Sequence, residues 1–531
     1  MRATWQGVNT ILGQNNKKSN VYLGDNDPVE YVDQLNSFYN RFDCNDFSFS
    51  IGSIKEQIHK EAANSQESNL SVSEGEVTRV FKSLNERKAC GPDRVKGNVL
   101  KMCSLELSSI YTYIFNMSLL QNIIPSSWKC SEIIPIPKKP KIKEMNDLRP
   151  VALTSIIMKC MERIVLNKIK SCFSSQQDPL QFAYRSKRSV DDAILIFTNN
   201  IYKHIDTPRN YCRTLFVDFS SAFNTIQPHI LASKLVNLNL NKKLILWIID
   251  FLTHRCQYVK LNNVQSKIIY TNTGAPQGCV ISPVLFTIYT NDCFKNDDYV
   301  KLLKFADDST IQGLITDNDE LYRKYVDSFT DWCDQHFLLL NVKKTKEMIF
   351  DFRIKKDPIL PLTIKNETVE IVKSYKYLGV TIDDKLEWTL HINNVHKKIN
   401  QRLFFLRKLY SFKLNNRILQ LFYKSCIESI ILFCVCAWGG NGKVQNKTRI
   451  NRVIKKACKI THFPFPYTDE ILTNACIKKL KSILEDNSHP LHADLQFSAR
   501  SGRLIYFKTN RERYKNSFMP LSVKLLTQQD K

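Results

Sequence analysis

An α+β fold is what this sequence predicts, and three observations predict it. Two apolar runs of strand length, Leu215-Phe216-Val217 and Tyr299-Val300-Lys301-Leu302-Leu303, each lead into acids: Asp218 after the first, Asp307-Asp308 after the second. Segments with helical period lie between and around such runs. Beyond residue 391, Ile392, Val395, Ile399, Leu403, Leu406 and Leu409 recur at helical spacing, with Lys397, Lys398, Arg402, Arg407 and Lys408 among them.

The elements follow in order. Residues 1 to about 70 are polar and rich in Asn and Ser, with one apolar patch at Tyr31 to Tyr39 that fits a single helix; the region reads as an extension or linker. Ser73-Glu74-Gly75-Glu76 has capping-box spacing, and Val77, Val80, Phe81 and Leu84 then share a helical face, so a helix starts here and ends before Gly91-Pro92. Another helix is expected from Val99 to Leu120. Ser131 to Pro137 and Leu148 to Leu153 read as two strands kept at a sheet edge by their prolines and joined by the basic loop Lys138 to Asp147. Helices are expected at Ile156 to Cys172 and Val190 to His204, then the strand ending at Asp218, then a hairpin from Tyr258 to Asn272. In Thr273-Gly274-Ala275-Pro276-Gln277-Gly278, Gly and Pro set a rigid turn, and Ser282-Pro283 opens an apolar helix running to about Tyr289. Further helices are expected near Arg417 to Trp438 and Thr448 to Ile460, and a basic, loop-rich stretch with Ser501-Gly502-Arg503 closes the chain.

Composition narrows the partners. A chain of 531 residues with 43% hydrophobic content has room for several subdomains, because single cores stop growing near roughly 250 to 300 residues. The net charge of +25 is that of a protein expected to attract a polyanion, for which nucleic acid is the economical candidate. The excess is uneven: from His391 to Phe465 there are 15 Lys or Arg and one acid, Glu428. An ordinary helical bundle explains the apolar stripe there but not the near absence of acids. The 16 cysteines form no C-x-x-C pair, which argues against a zinc knuckle and against a disulfide framework. Reduced thiols in turn imply cytosol or nucleus. No signal-peptide core or run long enough to span a bilayer is present, so no membrane role is expected.

Asp307 and Asp308 are adjacent acids behind an apolar strand. On its own this pattern is also that of a solvated turn. With Asp218 it becomes a candidate metal site, since two like charges repel unless a cation neutralises them. Asp218 and Asp307 are separated by 89 positions (307 − 218), so the reading requires their strands to be neighbours in one sheet.

The motifs taken in sequence carry a family resemblance. Asp218 with Phe223, Pro276-Gln277-Gly278, Phe305-Ala306-Asp307-Asp308, Leu340-Asn341-Val342-Lys343-Lys344-Thr345 and Tyr375-Lys376-Tyr377-Leu378-Gly379 resemble the successive palm motifs of reverse transcriptases. Gly91-Pro92-Asp93, Leu148 to Ser155 and Gln181-Phe182-Ala183-Tyr184-Arg185 resemble the fingers of non-LTR, LINE-type retrotransposon polymerases of the jockey group. The match by motif covers roughly residues 75 to 390. Arg94 stands where the family usually has Gly, and Ser309 where Thr is commoner.

The resemblance implies a right-hand polymerase with fingers, a ferredoxin-like antiparallel palm sheet and a helical thumb. The expected organisation is an extension at 1–72, fingers and palm at 73–390, a basic helical thumb at 391–475 and a basic tail at 476–531. The implied activity is RNA-directed DNA synthesis, in which a DNA primer or target is extended on an RNA template with dNTPs. Two Mg²⁺ ions, with Mn²⁺ as a substitute, would be held by Asp218 and Asp307, with the carbonyl of Phe219 as a further donor and Asp308 as an outer ligand. Lys344 resembles the lysine that protonates departing pyrophosphate, a solvated surface Lys being the other reading. Phe223 is implied as the ring that excludes a 2′-hydroxyl, a core Phe being its alternative. Gln277 and Gly278 are implied to approach the nucleotide, Lys138 and Arg149 to neutralise its phosphates, and Tyr377, Leu378 and Gly379 to form a primer grip.

A catalytically inactive nucleic-acid-binding remnant is the reading from another class; the intact acids count against it. An RNA-templated RNA polymerase is disfavoured by Phe223. Relatives of this type carry an upstream endonuclease, for which no segment before residue 75 has the length, and the stretch after the thumb is too short for a ribonuclease H domain. Action in the nucleus is expected from the family's biology. Template choice, target DNA and oligomeric state are carried by no motif.

Overall fold

The computed structural model describes residues 27–44, 47–63, 70–294, 297–356, 358–500 and 502–529. Residues 1–26, 45–46 and 64–69 of the expected extension and 501, 530 and 531 of the expected basic tail lie outside these. The chain divides into two compact units, residues 1–176 with 223–289 and residues 177–222 with 290–531. Among the described residues no helix is long and apolar enough to cross a membrane.

The first unit is built on a sheet in which Leu148–Leu153 lies at the edge beside Ser131–Pro137, followed by Arg255–Leu261. The first two strands pair antiparallel from Glu132↔Leu153 to Pro137↔Leu148, as the proline-bearing hairpin predicts. The strand Ser131–Pro137 is not wholly an edge, however, because Ser131, Glu132 and Ile133 pair in parallel with Gln257, Tyr258 and Val259. Pro135 and Pro137 fall beyond this second ladder, where no N–H is needed on that side. The hairpin expected from Tyr258 to Asn272 forms but starts three residues earlier, with Val264–Gln265 and Ile269–Thr271 antiparallel to Arg255–Leu261.

Helices cover this sheet. Tyr31, Val32, Leu35 and Tyr39 of the helix Pro28–Tyr39 pack with Ile133, Leu148, Ala152, Val259 and Leu261, so part of the expected extension belongs to the core. The helix Glu74–Lys82 starts on the anticipated capping box: the Ser73 N–H donates to Glu76 at 2.9 Å, and the Glu76 N–H donates back to the Ser73 hydroxyl at 3.3 Å. The expected Val99 to Leu120 helix is two helices, Gly97–Met102 and Ser104–Gln121, broken at Cys103. One cysteine expectation is corrected: Cys130 and Cys256 form a disulfide. They immediately precede Ser131 and Gln257, which face each other in the parallel ladder, so strand register brings together thiols 126 residues apart.

The second unit is built on a sheet of order Glu370–Ile371, Lys346–Phe350, Tyr211–Val217, Asp308–Ile315, Val300–Phe305. All neighbours are antiparallel except the short outer pair Glu370↔Lys346 and Ile371↔Glu347. The helix Val190–Ile205 covers one face through Phe197 stacked on Phe216, with centroids 5.9 Å apart. The helix Glu320–Gln335 covers the other, where Gly313 admits the Tyr322 ring: a Cβ at Gly313 would lie 2.5 Å from it. Between them Arg213, fully buried in the central strand, binds Glu347 of the neighbouring strand through two hydrogen bonds of 2.8 Å and also pairs with Asp319.

The same unit holds a helical region. All six apolar residues anticipated from Ile392 to Leu409 are buried in the helix Thr389–Ser411, while Lys397, Lys398, Arg407 and Lys408 remain exposed. The helix expected from Arg417 to Trp438 is interrupted: Asn416–Tyr423 passes through a wider turn at Lys424–Glu428, and Cys434, in left-handed backbone at φ 51°, precedes Val435–Trp438. Val444–Thr461 and Thr468–Leu484 follow, the latter running through position 475. The final stretch is more ordered than its composition suggested. Phe518–Gln529 is a helix with Phe518, Met519 and Val523 buried, and the Asp206 carboxylate accepts from the backbone N–H groups of Asn510 and Arg511, both at 2.8 Å.

Candidate active site

Strand register assembles the acids. Val217 at the end of the central strand faces Ser309, and Phe305 faces Asp308 across the adjoining hairpin, so Asp218 emerges beside Asp307 and Asp308. The hairpin turns at Ala306, whose φ of 58° is left-handed. Its outer strand is braced by Leu180 to Phe182: the Phe182 N–H donates to the Lys304 carbonyl and the Lys304 N–H to the Leu180 carbonyl, each at 2.9 Å. The Gln181 side-chain oxygen accepts from the Ala306 N–H at 3.3 Å, and the buried Lys304 amine binds Asp178 at 2.7 Å.

The electrostatics follow from this crowding. Burial, then the charge of Asp307, then that of Asp218 push the Asp308 carboxyl up to about 6. Tyr375, stacked on Phe216 at 4.1 Å, is raised by burial and by Asp308 and Asp218; Tyr184 is raised by burial and by Asp307. Both tyrosines therefore lie within the field of the carboxylates. The motifs contained them, but spacing alone marked no role for either.

The stretch after Asp218 is fixed by a second chain segment. Asn341 N–H donates to the Asp218 carbonyl and Ser220 N–H to the Leu339 carbonyl, both at 2.8 Å. This bridge pairs Phe219 with Leu340 and turns the Phe219 carbonyl away from it. The Asn341–Thr345 turn also brings Lys344 to the site, its Nζ 4.0 Å from Asp218 Oδ2, while the Thr345 hydroxyl accepts from the Asp218 N–H at 3.3 Å. Among the described residues no group of three or more His, Cys, Asp or Glu side chains is gathered tightly enough to hold an ion alone. The side-chain donors gathered at this point, Asp218, Asp307 and Asp308, are carboxylate oxygens, a hard donor type that suits Mg²⁺ better than a softer metal.

Tyr377 is a core residue, 3% exposed, packed on Phe197 at 5.1 Å and Phe216 at 5.5 Å. Leu378 and Gly379, at φ 46° and 90°, form the tight turn between Ser374–Tyr377 and Val380–Asp383 and are the outward part of this motif.

Within the first unit, the Gln277 carbonyl accepts from the Ala152 N–H at 2.8 Å, and its side-chain amide reaches Asn224 at 3.4 Å. Gly278 is exposed with φ 137°, and a Cβ there would lie 2.5 Å from the Ala152 carbonyl oxygen. The Phe223 ring is part-exposed and rests 4.7 Å from that of Phe286. Arg149 is exposed on the edge strand. Lys138 is exposed too, but its amine closes the basic loop by donating to the Asn146 carbonyl at 2.7 Å.

Residues 136–382 match the model of the reverse transcriptase (RNA-dependent DNA polymerase) family, and residues 388–429 match that described as alkylated DNA repair protein alkB homolog 8, N-terminal. The chain is similar to the probable RNA-directed DNA polymerase from transposon BS of Drosophila melanogaster, with 25% identity covering 82% of this chain and 50% of that protein. It is also similar to the RNA-directed DNA polymerase from mobile element jockey of the same organism, with 24% identity covering 62% of this chain and 37% of that protein. The chain thus spans half or less of the length of these relatives. Among solved structures, telomerase from Candida tropicalis in complex with a fragment of telomeric RNA shares 12% identity, with a TM-score of 0.39 over 72% of this chain and 67% of that one. Residues 136–382 are a reverse transcriptase domain, carried by a chain homologous to the polymerases of jockey and other non-LTR retrotransposons.

Proposed function

We propose that this chain is an RNA-directed DNA polymerase that extends a DNA 3′ end on an RNA template by two-metal nucleotidyl transfer, in the service of retrotransposition. The observation that supports this most directly is the convergence of Asp218 with Asp307 and Asp308, with Lys344 Nζ 4.0 Å from Asp218. Asp218, Asp307 and the Phe219 carbonyl would hold two Mg²⁺ ions, and Asp308 would lie outside them. When bound, the ions stabilise charge on the attacking and leaving oxygens.

The remaining roles belong to the chain itself. Lys344, whose Nζ lies 4.0 Å from Asp218 Oδ2, is assigned to return a proton to departing pyrophosphate. On the first unit, the Gln277-Gly278 backbone and the Phe223 ring are assigned to the sugar and base of the dNTP, and Arg149 and Lys138 to its phosphates. The Leu378-Gly379 turn is assigned to the primer. The exposed basic face of Thr389–Ser411 supports a grip on the template-primer backbone.

The test is dTTP incorporation on poly(rA)/oligo(dT) with Mg²⁺, native chain against Asp307→Asn. Incorporation lost in the variant supports the proposal. A folded native chain that binds primer-template yet incorporates nothing overturns it in favour of nucleic-acid binding alone.

A further inference from the structure

The loop carrying Gln277 and Gly278 is gripped at both ends by buried ions of opposite sign. At its start the Arg255 guanidinium, 6% exposed, donates to the carbonyls of Thr273 and Gly274, at 3.0 Å to the latter, and through Nε to Leu252 at 3.1 Å. At its far end the fully buried Glu162 carboxylate accepts from the N–H groups of Val280 and Ile281, at 3.1 Å from the latter. The cation thus takes carbonyls and the anion takes amides. Both direct their hydrogen bonds to backbone.

Between the two ions the loop is tied to its surroundings. Gly274 N–H donates to Ile226 at 2.7 Å, Ala275 N–H to Phe223 at 2.8 Å, and the Gln277 carbonyl accepts from Ala152 at 2.8 Å. From the N-terminal segment, Asp43 accepts from the Thr273 hydroxyl at 2.7 Å.

Such ions are unfavourable to bury, and a neutral side chain would satisfy the same backbone groups with a smaller desolvation penalty. What a charge adds, at Arg255 and at Glu162 in its deprotonated form, is strength: charge-assisted hydrogen bonds are shorter and roughly twice as strong as neutral ones. Burial shows in both groups. It pushes the Glu162 carboxyl up to about 7, against the opposing effect of its backbone hydrogen bonds and of Lys159, and lowers the Arg255 guanidinium to about 10.

We infer that Glu162 and Arg255 are positioning residues that hold the 273–281 loop in the one backbone conformation in which Gln277 and Gly278 meet the incoming nucleotide, an inference that rests on the polymerase reading above. Neither residue is assigned a contact with the nucleotide. They act through the loop, so their loss weakens nucleotide capture before it slows chemistry. Glu162 left a trace in the sequence as an acid among the apolar residues Cys160, Met161, Ile164 and Val165 of a helix, whereas Arg255 left none.

Two variants of the full chain separate positioning from bulk. Glu162→Leu removes the acceptor, and Glu162→Gln restores an oxygen that accepts both N–H groups. Glu162→Leu is expected to raise the KM for dTTP on poly(rA)/oligo(dT) about tenfold, with kcat and primer-template Kd within twofold. Hydrogen exchange of the 273–281 backbone should quicken about tenfold, and Glu162→Gln should bring both readouts back to within threefold of the native chain. If Glu162→Leu does not fold, Arg255→Lys, which cannot span both carbonyls, carries the same two readouts. Unchanged KM and exchange in a folded variant, or a fall in kcat with KM unmoved, would overturn the inference. A native chain without incorporation defeats the polymerase reading instead, and hydrogen exchange alone then decides whether the bracket exists.

Discussion

Replacing Gly278 by Ala tests the nucleotide loop at its tightest point. The added Cβ would sit 2.5 Å from the Ala152 carbonyl oxygen, about 0.9 Å inside the 3.4 Å at which ordinary contact begins. Ala152 cannot yield, because it lies in the ladder opposite Ile133 and its N–H holds Gln277 at 2.8 Å. The loop must therefore move by close to an ångström. It must also leave φ 137°, a region that disfavours side chains by about 1 to 3 kcal/mol. A displacement of about 1 Å at a substrate-positioning group costs catalytic efficiency on the order of 100-fold. We expect kcat/KM for dTTP on poly(rA)/oligo(dT) to fall by about that factor, with a loss of folded-state stability limited to that backbone strain of about 1 to 3 kcal/mol. Gly75→Ala, at a helical position with open space around it, is the control and should be neutral. A Gly278→Ala chain within threefold of the native kcat/KM would refute the claim that this loop is held against Ala152.

Phe223→Ala should relax discrimination against ribonucleotides in competition assays with rUTP and dTTP, since the part-exposed ring is the group assigned to exclude the 2′-hydroxyl; undiminished discrimination would move Phe223 to a packing role against Phe286. Arg213→Met strands a fully buried Glu347 and should destabilise the folded state by about 3 to 5 kcal/mol in urea titration, whereas Arg213→Met with Glu347→Leu should recover most of that loss. A double variant as unstable as the single one would deny the pairing. Glu162 sets a pH dependence: its carboxyl titrates near 7 when folded against an ordinary 4.5, so between these values the folded state holds a proton the unfolded chain has lost. Its contribution to stability is greatest below about 4.5 and declines as pH rises to 7, by on the order of 3 kcal/mol. Glu162→Gln should flatten that slope in denaturation curves at pH 5 and pH 8, and an unaltered slope would count against the buried charge.

Local pattern was legible wherever one element satisfied its own rule. Ser73 and Glu76 close the capping box seen in their spacing, and the six apolar residues from Ile392 to Leu409 are all buried. Patterns failed where a partner overrode them. The strand Ser131–Pro137 carries two prolines yet gains a second neighbour through its first three residues. The stretch from Leu484 onward looked like basic loop, but Asp206 binds the backbone of Asn510 and Arg511, and Phe518 and Met519 are buried. At the site, spacing pointed to Asp218, Asp307 and Asp308 and the family resemblance to Lys344, and all four lie on one unit. Gln181, Tyr184 and Tyr375 went without roles because their importance lies in which neighbour they touch, and composition does not record neighbours.

By itself, then, the sequence determined the elements and their chemistry: strands that end on acids, helices with one apolar face, a glycine loop and a surplus of cations, each a consequence of side-chain period and type within a dozen residues. Tertiary structure decided which of them meet. The ladder facing Val217 with Ser309 brings together acids 89 positions apart (307 − 218), and the ladder facing Ser131 with Gln257 brings together Cys130 and Cys256. The same holds for the ions on the nucleotide loop, since Glu162 and Arg255 find their backbone partners only once helix, strand and loop are packed. The physical reason is that a side chain's local preferences are set by its own covalent neighbourhood, whereas desolvation, pairing and pKa are set by atoms that arrive from elsewhere in the chain.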